Sequence, residues 1–136
     1  MRPSPRALDL YVGTPWQERG RVRAGCDCWG LVGIVYFEQL GIELPSHADD
    51  YSSTSDREAL EDLLNAGRPA WRAVPLAEAM PYDVVLLRAR SWHVGIVRGA
   101  GAMLHMPRGQ SAVIEPFTTG RHWPAVEGIY AYEGRL

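Results

Sequence analysis

The run from Cys28 to Leu40, CWGLVGIVYFEQL, is apolar nearly all round and lies between Asp27, a good N-cap, and Gly41, a good C′ residue. A helix with no polar face belongs at the centre of a domain, so the rest of the chain must wrap it. Gly30 and Gly33 stand in its first half, where each costs about 1 kcal/mol relative to alanine. Close approach of a second backbone, such as a packed sheet, would offset that cost.

The remaining elements are shorter. Ala7 to Val12 is an apolar-periodic segment that predicts a helix, halted by Gly13, Thr14 and Pro15. Trp16 to Gly25 is polar and Arg-rich and predicts a loop. After an irregular GIELPSHADDY, Ser55 to Ala66 predicts a second helix, with a Ser55 cap, an acidic start at Asp56 and Glu58, and Gly67 as its stop. WRAVPLAEAMPYD predicts a loop or short strand. The signals then turn to β: VVLLRA, HVGIVRG, AMLHMPRG, SAVIEPF and VEGIYAYEG, separated by Gly, Pro or charged residues. Helices first and strands after imply an α+β fold with an antiparallel sheet in the C-terminal half. No linker or repeat divides the 136 residues, so residues 1–136 are expected to form a single domain.

Composition excludes several classes. A net charge of −2 provides no basic footprint for nucleic acid. No apolar run approaches the roughly 18 residues of a membrane span. The start, MRPSPRALDLYV, lacks the apolar core of a signal peptide, so synthesis in a cytoplasm without a signal peptide is the expectation.

Cys26 and Cys28 are too close to form an unstrained disulfide. Cys28 follows the predicted cap, where free N–H groups and the helix dipole favour a thiolate and could later hold an oxyanion. Asp27 opposes that thiolate unless its carboxylate is occupied in capping. A buried core cysteine is the plain alternative. Two histidines weigh against it. If Arg98 pairs with Ala102, His105 faces Gly95, and His93 and His105 become diagonal neighbours on one sheet face. Val94, Ile96, Leu104 and Met106 then form an apolar set on the other face. A register shifted by one residue would split the pair. Two imidazoles near a thiol on a helix tip make a nucleophile, a base and an orienting residue.

GCDCWGLV, GIELP, PYDVVLL, HVGIV and AMLHM together resemble the NlpC-type peptidoglycan peptidases, a papain-like family. Its usual pattern is Asp-Cys-Ser-Gly-Leu-Val, a Pro-Gly-Asp-Leu strand start, His-Val-Gly-Ile and a third polar residue about a dozen positions on. The likeness runs from about Leu8 to Met106. It implies a papain-like fold, with the nucleophile on a helix N-terminus packed on an antiparallel sheet of about five or six strands. It also implies catalytic roles for Cys28, His93 and His105, with a Cys28 thioester formed during peptide cleavage. Trp16, Asp27, Trp29 and Trp92 become candidates for substrate or oxyanion contact. The sequence departs from the family at Trp16 for Tyr, Trp29 for Ser, Tyr82 for Gly, and in having Cys26.

The resemblance implies hydrolysis of peptidoglycan stem peptides, usually between D-glutamate and a diamino acid, with no cofactor and no metal. The GCDCWGLV variant is similar to members encoded in phage-tail and gene-transfer-agent clusters. That implies tail-tip or baseplate partners, assembly into a virion or phage-like tail, and action in the periplasm or cell wall. Two alternatives stand beside it. One is a structural tail-tip subunit with an unused site, motivated by Trp16 and by Trp71, Trp92 and Trp123 as exposed candidates. The other is a zinc site made by Cys26, Cys28, His93 and His105. His47, Asp49, Asp50 and Tyr51 read as loop residues, Arg108 to Gln110 as a rim loop, and His122 as a residue with no evident partner.

Overall fold

The apolar run folds as a helix in the computed structural model, which describes residues 2–44, 71–88 and 92–133, Trp92 by its backbone alone. Helix α1 spans Cys28–Val35, and the Asp27 carboxylate accepts from the Gly30 N–H at 2.8 Å. The chain then widens into a π-helical turn, Tyr36–Leu40, closed by Gly41 at φ 69°. The expected helix is therefore present to Leu40, with its last five residues wound differently. The close approach predicted for its glycines holds at one of them. A Cβ on Gly30 would collide with the Gly20 carbonyl oxygen, which belongs to a loop rather than to the sheet, while Gly33 faces open space.

Beyond α1, six strands form one antiparallel sheet. They are β3 (Trp71–Val74), β4 (Val84–Arg88), β5 (Trp92–Gly99), β6 (Ala102–His105), β7 (Val113–Pro116) and β8 (Val126–Tyr132), in the order β3-β8-β4-β5-β6-β7. A separate small hairpin, β1 (Arg21–Val22) with β2 (Gly25–Cys26), begins inside the segment expected to be loop and ends one residue past it. Alternation along the strands splits the core in two. Val84, Leu86, Val94, Ile96, Leu104 and Met106 cluster with Leu31, Val32 and Val35 of α1. Val85, Leu87, Val97, Met103, Phe117 and Ile129 form a second cluster on the opposite face.

Trp71 is buried against Trp29, Tyr36 and Tyr132, contrary to its expected exposure, because β3 pairs with β8 and turns the indole onto the helix. Trp123 is exposed. The N-terminal helix is a 3₁₀ segment, Pro5–Tyr11, started by Ser4 and Pro5 and inserting Leu8 and Tyr11 into the core. The predicted Ser55–Ala66 helix lies outside the described residues, as do His47, Asp49, Asp50 and Tyr51.

Tyr82 shows what the family glycine does. The Asp83 N–H donates to the Met80 carbonyl across Pro81 and Tyr82, and Tyr82 sits at φ 78°. This is the turn position where glycine carries no steric cost. Here a tyrosine occupies it, with a buried ring, a hydroxyl that donates to the Ser4 carbonyl at 2.9 Å, and a carbonyl that accepts from Tyr36.

The β5–β6 register decides where the histidines fall. Gly95↔His105, Ile96↔Leu104 and Val97↔Met103 match the expected pairing. At the turn, Gly99 rather than Arg98 pairs with Ala102, so Arg98 is the extra residue of a bulge. Ala100 and Gly101 form the turn at φ 54° and 76°, the primed geometry that matches strand twist. The bulge absorbs the one-residue difference and leaves both histidines on the same face.

Candidate active site

Cys28 begins α1 where the helix meets β5, and its thiol is buried. The β5–β6 ladder ends at Gly95↔His105, one residue short of Val94. Burial pushes the Cys28 thiol up to about 12, and the neighbouring Asp27 charge adds to the rise. Backbone hydrogen bonds at Val94 and Trp29, with Arg21, pull the other way but do not win. The helix-tip expectation of a stabilised thiolate is therefore corrected for the resting protein: desolvation outweighs the dipole, and the sulfur keeps its proton.

Three strands then carry a diagonal row across the sheet. His93 Nε2 lies 2.8 Å from His105 Nδ1, and His105 Nε2 lies 2.7 Å from Glu115 Oε1. The register explains the row. His105 pairs with Gly95 on one side and Val113 on the other, so His93 and Glu115 are its same-face diagonal neighbours. The 3₁₀ segment Gly120–Ala125 brings two further donors. His122 Nε2 reaches Glu115 Oε1 at 3.2 Å and Arg121 reaches Oε2 at 2.9 Å.

Charge settles accordingly. Burial, then His105 and His122, lowers His93 to about 3, so it rests as neutral imidazole. Burial also lowers His105, against the opposing hydrogen bond to Glu115. Burial would raise the Glu115 carboxyl, but hydrogen bonds from His105, His122 and Arg121 bring it down to about 2. A protonated thiol, two neutral imidazoles and a carboxylate are the group types that general-base activation of a sulfur nucleophile requires.

The NlpC/P60 family model matches residues 13–126. This chain belongs to the NlpC/P60 family. It is 35% identical over 100 residues to a Mycobacterium tuberculosis H37Rv protein named probable endopeptidase Rv2190c, across 74% of this chain and 22% of that protein. To the gamma-DL-glutamyl hydrolase of Bacillus subtilis 168 it is 25% identical over 137 residues, 96% of this chain and 29% of that enzyme. The chain thus spans less than a third of the length of these relatives. Among solved structures, an NlpC/P60 family protein from Bacillus cereus superposes with a TM-score of 0.70 at 22% identity, over 97% of this chain and 41% of that one. The NlpC/p60 domain of the peptidoglycan hydrolase SagA gives 0.65 at 20% identity, over 94% and 96%. The α+β, NlpC-type architecture expected from the sequence is the one observed.

The other candidate residues are placed unequally. The Asp27 carboxylate is fully buried, accepting from the Gly30 and Arg19 N–H groups and from Arg21 at 2.9 Å. It shapes the helix tip through these hydrogen bonds. Trp29 is buried against Trp71, in the core rather than facing solvent. Trp16 is half-buried, its N–H donating to Gln110 and its backbone bridged to Cys26. This ties the Arg108–Gln110 loop to the strand just before the nucleophile. Trp92 is the first residue of β5, one position before His93.

Both cysteines are free, and the buried Cys26 thiol is pushed up to about 11 by burial and by Asp27. Among the described residues, the atoms close enough to share a metal belong to His105, Glu115 and His122, within 4.8 Å of one another, and not to the cysteine pair. Hydrogen bonding with Arg121 accounts for that cluster. Glu115, Arg121 and the partner of His122 were not legible in the sequence.

Proposed function

We propose that this NlpC/P60 chain is a cysteine endopeptidase that hydrolyses peptidoglycan stem peptides at the bond between D-glutamate and the diamino acid. The observation that carries the reading is the row His93–His105–Glu115 on the sheet, together with a buried thiol at the N-terminus of α1, a helix in contact with the strand that bears His93. Cys28 Sγ attacks the scissile carbonyl while His93 takes the thiol proton. Collapse of the tetrahedral adduct forms the thioester, and His93 returns the proton to the departing amine. Water, activated by His93, then releases the acid and the free thiol. Relatives named endopeptidase and gamma-DL-glutamyl hydrolase support the reaction class.

The working context we propose is a phage or phage-like tail that acts at the cell wall. Its support is the GCDCWGLV variant of the nucleophile motif. Digestion of defined muropeptides, read by mass spectrometry, tests the chemistry. Wild type should release the D-glutamate-terminated product, Cys28→Ala should release none, and Cys26→Ala should retain most of the activity. Cleavage by Cys28→Ala at the wild-type rate would overturn the mechanism. Absence of the protein from purified tail particles of its source would overturn the context.

A further inference from the structure

The hydrogen-bond row contains more direction than its distances alone show. Each neutral imidazole has one N–H and one lone pair, so every contact in a chain of two must be ordered donor to acceptor. A carboxylate only accepts. The N–H of His105 must therefore lie on Nε2, which faces Glu115 Oε1 at 2.7 Å. His105 Nδ1 is then a lone pair, and at 2.8 Å it can receive only an N–H from His93 Nε2. That leaves His93 Nδ1 bare. A bare Nδ1 is the state that a base needs, while the opposite order would cap it with a hydrogen.

We propose that Glu115 is a positioning residue that fixes the tautomers of both histidines, so that His93 rests with Nδ1 open as the base. The inference builds on the Cys28–His93 chemistry proposed above. Arg121 and His122 are the supports of the arrangement. Arg121 donates to Oε2 and His122 to Oε1, so neither carboxylate oxygen is left to rotate away from His105. Three donors, His105 from β6 and Arg121 and His122 from the 3₁₀ segment Gly120–Ala125, thus converge on the Glu115 carboxylate of β7. A glutamine at position 115 breaks this logic. Its carbonyl cannot satisfy His105, His122 and Arg121 together, and its NH₂ donates. Where that NH₂ faces His105, the order of the whole row reverses and His93 Nδ1 acquires the hydrogen.

The test reads the base directly, without peptidoglycan. In a Cys26→Ala background, Cys28 is the sole thiol, and its alkylation by iodoacetamide at neutral pH reports how well His93 takes its proton. Glu115→Gln should slow alkylation by roughly tenfold or more, a loss within the range a general base supplies, while Glu115→Asp keeps the carboxylate and should stay within about threefold. Nitrogen-15 NMR of wild-type histidines supplies a measurement that needs no variant. His93 and His105 should both show a protonated Nε2 and an unprotonated Nδ1.

The proposal is overturned by a protonated Nδ1 on either ring in the wild type. Alkylation of Glu115→Gln within about twofold of the parent would overturn it as well, as would Glu115→Asp alkylating as slowly as Glu115→Gln. Muropeptide digestion run on the same samples separates the two claims. A wild type that fails to cut muropeptides yet shows the predicted tautomers and alkylation rates sinks the peptidase reading and leaves the tautomer relay standing.

Discussion

The two faces of the sheet are built from the same strands and obey different rules. On the face toward α1, Val94, Ile96, Leu104 and Met106 are all buried and apolar, and volume decides what fits. On the other face the same strands place His93, His105 and Glu115 beside a second apolar cluster containing Val97, Met103 and Phe117. There direction decides, because each polar atom must find a partner of the opposite kind. No buried side-chain nitrogen or oxygen among the described residues lacks one. One face tolerates a change of shape within limits, and the other tolerates no change of hydrogen-bond sense.

Substitutions that separate activity from stability give the sharpest contrast. His93→Ala should lower kcat/KM on muropeptides by roughly 10² to 10⁴, since a general base is lost. The half-buried imidazole leaves behind one unpaired nitrogen on His105, so the expected stability cost is only about 1 kcal/mol. Leu104→Ala, one position from His105 but on the other face, should do the reverse. Removing a fully buried leucine costs roughly 2–5 kcal/mol, while kcat/KM measured below the melting transition should change little. Thermal melts and steady-state kinetics on the two proteins check both expectations. Equal loss of activity in the two would mean that the faces are mechanically one unit.

How much of this was readable beforehand follows the same division. The helix-facing set was legible from alternation alone, because apolar residues at every second position of HVGIV and AMLHM leave one self-consistent register. The helix was legible for a similar reason, Asp27 and Gly41 being local capping signals. Glu115 was not, since the segment joining β6 to β7 has no turn signature that fixes which residue opposes Met103. His122 and Arg121 arrive on a 3₁₀ segment with no periodicity to announce it. The burial that pushes the Cys28 thiol up is not visible in a sequence, which shows only the helix tip. The Arg98 bulge was invisible too, although the register survived it.

Gly95 is where packing and hydrogen-bond direction meet on the histidine face. It sits directly opposite His105, and a Cβ there would lie 2.9 Å from the Met103 sulfur and 3.2 Å from the His105 Cβ. The thioether end of Met103 can swing aside, but His105 is held from both sides, by His93 and by Glu115. Gly95→Ala should therefore lower kcat/KM by about tenfold, through a displacement of a few tenths of an ångström in the row, with a modest loss of stability. Muropeptide kinetics together with a urea titration measure it. An unchanged kcat/KM would show that the row has slack, and the contrast between the faces would weaken.

The smallest effect is in how stability bends with pH. His93 has its pKa lowered to about 3 from the ordinary 6.5, so the unfolded chain binds the proton first. Its contribution is fully present above about pH 6.5 and is lost as the pH falls toward 3. Glu115, held at about 2, adds to the same limb below its ordinary 4.5. Cys28 bends the other side. Its pKa is raised to about 12 from 9.0, so its contribution is complete below about pH 9 and declines as the pH rises. One proton sets a limiting slope of about 1.4 kcal/mol per pH unit, and the half-buried position of His93 keeps the observed slope below that. Urea midpoints from pH 4 to 10 should show a plateau between these limbs. His93→Ala should flatten the acid limb, and Cys28→Ala should reduce the alkaline one, leaving the share due to Cys26. Leu104→Ala should lower the curve without bending its acid limb, because His93, His105 and Glu115 lie on the other face of the sheet. If it changes the acid slope as much as His93→Ala does, the chemistry of one face is not separable from the packing of the other.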